Sequence, residues 1–164
     1  MWSKVFLEQA SSDWQVYEHL KGTHFPNCHA LHYLQMATEK LAKAYLLVIP
    51  TESQSVLSTH KGLTRFLRNV SRNSGLQNEM GMQAKQLQAH IRQLLPLASE
   101  VENLAPTLAG EGPNPEYPWQ DPLGNFYVPA IYEFPLSKIL LEPRGYSLIK
   151  LIRIALTKFD VLHR

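Results

Sequence analysis

The sequence predicts an all-α fold, an up-down helical bundle of four to five helices with a long proline- and aromatic-rich connection before the last helix. Three observations carry that expectation. Apolar residues recur at steps of three and four through most of the chain. Glycine, proline and an Asn-Ser-Gly triplet separate the periodic stretches. Eight of the eleven prolines are gathered between residues 105 and 145, where no long helix can run. At 164 residues, 45% hydrophobic and 18% charged, the chain fits a single domain, 1–164, that can bury a core without covalent staples.

In the first helix Phe6, Ala10, Trp14, Tyr17 and Leu20 form one stripe, with Asp13 beside it, and Gly22 ends it. After a turn holding Pro26, a second helix carries Leu31, Leu34, Thr38, Leu41, Tyr45 and Val48 at alternating steps. Further apolar residues at 36, 37, 42, 44, 46 and 47 wrap most of its circumference, the mark of a central bundle helix. Pro50 stops it. Residues 51–59 read as a loop, with Ser58 or Thr59 as the cap of a third helix whose Leu63, Phe66, Leu67 and Val70 face inward. Asn73-Ser74-Gly75 is expected to end that helix. A fourth follows on Met80, Ala84, Leu87, Ile91, Leu94, Ala98 and Val101, kinked or divided at Pro96. The insert at about 105–145 holds Tyr117, Trp119, Phe126, Tyr127, Tyr132 and Phe134, enough apolar area to pack onto the bundle. A short hairpin is placed around Asn125 to Phe134. The last helix is expected from Tyr146 to Leu162, with Leu148, Ile152, Ala155 and Phe159 inside.

Composition narrows the function classes. A net charge of +2 predicts neither a nucleic-acid coat nor a membrane surface. Cys28 is the only cysteine, so no intramolecular disulfide can form and a reducing compartment is the simplest setting. The first nine residues turn polar too soon for a secretory signal. The apolar run from Ala44 to Pro50 is far short of the roughly 20 residues of a spanning helix. The expectation is a cytoplasmic protein that does not enter the membrane.

Helix two contains Gln35-Met36-Ala37-Thr38-Glu39-Lys40-Leu41-Ala42-Lys43-Ala44, which resembles the signature of the HEPN family, roughly Gln-x-Ala-x-Glu-Lys-x-x-Lys-Ala on a central helix. Ala10 to Leu20, with Asp13, resembles the family's first helix, and Thr59-His60-x-x-Leu63 resembles the step that opens its third. The resemblance covers nearly the whole chain, with 111–134 as an elaboration. It implies a helical bundle, often paired as a homodimer, with roles in nucleotide or RNA binding, in toxin–antitoxin systems, or as the partner of a nucleotidyltransferase. The nuclease members carry Arg-x(4–6)-His. Here the arginines stand at 65, 68, 72, 92, 144, 153 and 164 and the histidines at 19, 24, 29, 32, 60, 90 and 163, and no pair has that spacing.

Three groups of residues invite chemistry. Gln35, Glu39 and Lys43 lie on one stripe at steps of four. They form either an ion pair on a partly exposed face or a polar groove in which Lys40 or Lys43 meets a phosphate and Glu39 a ribose hydroxyl. Lys61, Arg65, Arg68 and Arg72 make a second stripe with no acid on the helix to balance it. It suits either RNA or nucleotide contact or pairing with the acid-rich segment 99–135, in this chain or a second copy; His60 stands at its start. Glu116, Tyr117 and Trp119, in a rigid proline-flanked setting, would clamp the connection or act as a lid. His24, His29 and His32 show no zinc-ligand pattern, so no metal and no cofactor is expected, nor is DNA sequence recognition. The leading expectation is a non-catalytic module binding a nucleotide or RNA, or docking a nucleotidyltransferase. The alternatives are a metal-independent endoribonuclease with an atypical pair, His60 with Arg65 or Arg144, and a ligand-free scaffold.

Overall fold

The computed structural model describes residues 2–49, 62–104 and 112–163. They form an all-α bundle: α1 Trp2–Leu20, α2 Asn27–Leu46, α3 Leu63–Val70, α4 Ser74–Met80 and α5 Ala84–Glu102. Then come the strands β1 Trp119–Gln120 and β2 Phe126–Tyr127, α6 Pro135–Ile139, α7 Pro143–Thr157 and a closing 3-10 turn at Phe159–His163.

The helix with apolar residues all round is indeed the centre, since α2 packs against α1, α3, α5 and α7. Its Leu31, Leu34, Ala37, Leu41, Ala42 and Leu46 are buried within the chain. The short link after Leu20 returns α2 antiparallel along α1, and the Ser3 hydroxyl donates to the Ala44 carbonyl at 2.7 Å.

At eight residues, α3 is too short to hold itself as a helix in water. Its apolar stripe Leu63, Phe66, Leu67 and Val70 is buried, and Phe66 meets the Tyr45 ring edge-on at 5.0 Å. Its N-terminus is held from a distance. The Thr64 amide donates to Glu102 Oε1 at 2.8 Å, and the Thr64 hydroxyl lies 3.2 Å from Oε2. A carboxylate at the end of α5 thus satisfies an orphan N–H of α3 and faces its positive end. The expected cap at Ser58 or Thr59 lies outside the described residues.

Several expected boundaries move. Asn73-Ser74-Gly75 does not only end α3; it also begins α4, because Asn73 Oδ1 accepts the Leu76 amide at 2.8 Å as a helix cap. The stripe expected to run unbroken from Met80 is interrupted at Gly81, which adopts φ +65 and closes α4 with its amide on the Asn78 carbonyl. Pro96 does not divide α5. Pro96 and Arg92, whose carbonyl loses its donor, are both exposed, so water can replace the missing N–H.

The hairpin sits earlier than expected, pairing Trp119 with Tyr127 and Gln120 with Phe126. Its turn is built on Asp121, whose Oδ1 accepts the Leu123 and Asn125 amides at 2.9 Å. Tyr132 and Phe134 are not a strand; Tyr132 lies edge-on to Trp119 at 4.9 Å. The last helix starts at Pro143 rather than Tyr146, since proline suits the first helical position. A Cβ on Gly145 would lie 2.4 Å from the Ile139 carbonyl oxygen, so only glycine lets α7 leave α6 this closely. No helix among the described residues is long and apolar enough to cross a membrane.

Replacing Glu102 by alanine is expected to lower stability by about 1–2 kcal/mol, the scale of a lost helix cap. Glu102→Gln, which keeps an acceptor oxygen, should retain most of it. Urea unfolding followed by circular dichroism checks both; equal midpoints for wild type and Glu102→Ala would remove the long-range cap.

Candidate functional site

The α2 stripe comes together as spacing predicts, but under α1. Gln35 Nε2 donates to Glu39 Oε2 at 3.0 Å and Lys43 Nζ to Glu39 Oε1 at 2.8 Å. Gln35, Glu39 and Lys43 are only 3%, 8% and 8% exposed, so the ion pair expected on a partly exposed face is a buried one. One step round the helix, Lys40 Nζ donates to Asp13 Oδ2 at 2.6 Å, and Gln9 of α1 donates to the other Asp13 oxygen. Lys43 Nζ also lies 5.8 Å from the Phe6 ring centre. Both lysines thus face carboxylates of their own chain, and they form a polar layer between α1 and α2.

The arginine stripe is arranged differently. Arg65, Arg68 and Arg72 are exposed; His60 and Lys61 lie outside the described residues. Because α3 runs back along α5 from the Glu102 contact, Arg68 and Arg72 come to lie over the middle of α5. There they line a surface recess of about 620 Å³ together with Asn69, Ser71, Gln88 and Arg92, floored by Ile91 and Leu95. Among the described residues no acidic side chain lines it. Arg68 and Arg72 form no ion pair among the described residues, and Arg92 has only a long 3.4 Å bond from Nε to the Gln88 carbonyl.

Four acids of the segment expected to neutralise this stripe have partners elsewhere in the chain, while Glu100 is exposed and Glu111 lies outside the described residues. Glu102 caps α3. Glu116 Oε2 stands 3.8 Å from His32 Nδ1 on α2, and Glu133 pairs with Lys138 at 3.0 Å. Asp121 holds its turn, accepting also from the Asn125 amide group and the Tyr127 hydroxyl. The Asn125 bonds hold its carboxyl below the usual range, and the nearby carboxylate pushes the Tyr127 hydroxyl up. Two other arginines are tied down: Arg144 donates to the Gln93 carbonyl and Arg153 to Glu18, both at 3.0 Å.

Glu116, Tyr117 and Trp119 do not act together. Asn114 Oδ1 accepts the amides of Glu116 and Tyr117, which turns the chain so that Glu116 reaches α2 while Tyr117 stays half exposed at 49%. Trp119 is buried and stacks on Tyr127 with ring centres 5.4 Å apart. None of the three lines the arginine recess. A second recess, about 660 Å³, opens beside Trp119, Tyr127 and Tyr132. Among the described residues, no three His, Cys, Asp or Glu side chains are grouped to hold a metal ion. Burial pushes the Cys28 thiol up, away from a reactive thiolate, and pushes His90 down, with Lys150 adding to it.

Compared with family models, curated proteins and solved structures, the chain finds no match. The site therefore rests on its own geometry. Sequence reasoning singled out Arg65, Arg68 and Arg72 but missed Arg92, Gln88 and Asn69. A signal was present: Lys85, Gln88 and Arg92 lie on one face of α5, in a stretch with no acid from Met80 to Ser99.

The half-buried Asp13–Lys40 pair makes a sharp test of the α1–α2 layer. Lys40→Ala should cost about 2–4 kcal/mol, because it strands a carboxylate that is 8% exposed. The double replacement Asp13→Leu with Lys40→Met should restore most of it. A double-mutant cycle by urea unfolding measures both, and additive losses would show that the pair is not coupled.

Proposed function

We propose that the chain is a non-catalytic helical module of HEPN type that holds a phosphate-bearing ligand, a nucleotide or RNA, at the recess between α3 and α5. One observation carries this reading: Arg68, Arg72 and Arg92 converge on a recess that no carboxylate of the described residues lines. Arg68 stands in the last turn of α3 and Arg72 just past its end, and neither forms an ion pair among the described residues, so local pairing does not explain them. Arg68 gains from the negative C-terminal end of α3, but Arg92 lies within α5 and has no such reason to stand opposite. Guanidinium groups bind phosphate in forked, charge-assisted hydrogen bonds. The signature-like residues 35–44 support the HEPN type, and their side chains serve there to join α1 to α2. The ligand site is accordingly moved from that helix to the arginines. The missing Arg-x(4–6)-His spacing supports the non-catalytic reading.

A second reading, docking of a nucleotidyltransferase or of a second copy of the chain, has one observation in its favour. Leu123, Phe126 and Ile131 are 87%, 79% and 82% exposed around the hairpin, and exposed apolar side chains gathered in one place mark interaction surfaces.

Single-stranded RNA binding, followed by fluorescence anisotropy against salt, tests the first reading. Three arginine–phosphate contacts predict a slope of log K against log salt of roughly −2, and each Arg→Gln change at 68, 72 or 92 should reduce its magnitude by roughly 0.7. Substitutions at Lys40 and Lys43 that preserve folding should leave it unchanged. A slope untouched by the triple arginine variant would end the proposal.

A further inference from the structure

We infer that the α3–α5 recess engages a linear phosphate chain and reads neither base nor sugar. This rests on the phosphate-binding reading above and narrows it to a ligand class: phosphodiester backbone or inorganic polyphosphate. What lines the recess, and what does not, supports the inference. A base is held flat by a plane on which it stacks and is read through its edge; among the described residues no aromatic residue lines this recess, and its three guanidinium groups are the cations that the phosphates take up. The rings nearest in sequence are used elsewhere. Phe66 of α3 is fully buried against Tyr45, and Trp119, Tyr127, Tyr132 and Phe134 are clustered around the hairpin. A ribose hydroxyl is recognised by a carboxylate that accepts from it, and among the described residues none lines the recess either.

What remains is suited to phosphate. Arg68 in the last turn of α3 and Arg72 just beyond its end line the recess together, and Arg92 faces them from α5. The row of cations can therefore follow a run of anionic groups, where a single phosphate would reach only part of it. Asn69, Ser71 and Gln88 add neutral N–H and O–H donors between the charges. Ile91 and Leu95 form the floor, and they keep water from one side of the arginines without offering any specific contact. The volume, about 620 Å³, lies within the usual range of ligand sites. It is open to solvent along the exposed faces of both helices, as a chain passing through requires.

Competition against a labelled short single-stranded RNA tests this. The competitors are unlabelled RNA, an abasic oligomer of equal phosphate count, inorganic polyphosphate of equal phosphate count, and adenosine. The abasic oligomer and polyphosphate should compete within about threefold of RNA, since the electrostatic contribution counts phosphates, and adenosine should not compete. All competition should vanish in R68Q/R72Q/R92Q, a variant whose three changes are at exposed positions. If the labelled RNA does not bind, labelled polyphosphate is titrated directly. Polyphosphate binding alone upholds the inference and assigns the ligand to free polyphosphate. RNA binding that needs the arginines but resists the abasic oligomer overturns the inference while leaving the proposed function standing. Failure of both RNA and polyphosphate to bind overturns the two together.

Discussion

The contact between Glu102 and the first turn of α3 decides the geometry of everything that follows. α3 has only eight residues, and its position depends on the apolar stripe beneath it and on the carboxylate that receives the Thr64 amide. That carboxylate stands at the far end of α5, so α3 must run back along α5. The antiparallel alignment places Arg68 and Arg72 against Gln88 and Arg92 rather than over solvent. It also engages the Glu102 carboxylate at the N-terminus of α3, away from the arginines. The same interaction builds the short helix and leaves its outer face basic.

Opposite chemistry governs the other side of α2. There α1 brings Asp13 to Lys40, while Glu39 serves Gln35 and Lys43 within α2. Removing two lysines and two carboxylates from water is costly unless each meets its counterpart, so this layer fixes how α1 sits on α2 more than it adds stability. Basic residues of one chain thus fall into two populations. Lys40 and Lys43 are occupied by internal carboxylates; Arg68 and Arg72 form no ion pair among the described residues. Composition alone, at a net charge of +2, conceals that division.

The long helices were legible because their period is long enough to count. The stripes that foretold α1, α2, α5 and α7 end within a few residues of the observed boundaries. Short elements were not. α4 and α6 span seven and five residues, too few for a period to emerge, and Asn73 does two jobs that read alike in sequence, stopping one helix and capping the next. The hairpin was displaced because the aromatic residues drew it toward Tyr132 and Phe134, whereas the turn depends on the Asp121 carboxylate and on Gly124 at φ +88. Spacing identified the partners Gln35, Glu39 and Lys43 but not their burial, which depends on which helix covers them. The arginine stripe on α3 was legible for the same reason as the helices, by its steps. Arg92 was not, because only the antiparallel placement of α3 on α5 brings it to the same recess.

The most direct measurement is nuclear magnetic resonance of the side-chain N–H groups while a short abasic phosphodiester is titrated in. If the recess between α3 and α5 holds the phosphate chain, the Nε–H signals of Arg68, Arg72 and Arg92 shift together, and the Nζ–H signals of Lys40 and Lys43 stay in place. Movement of the two lysine signals with the arginines unmoved would return the site to α2 and contradict the division of charges on which the assignment depends.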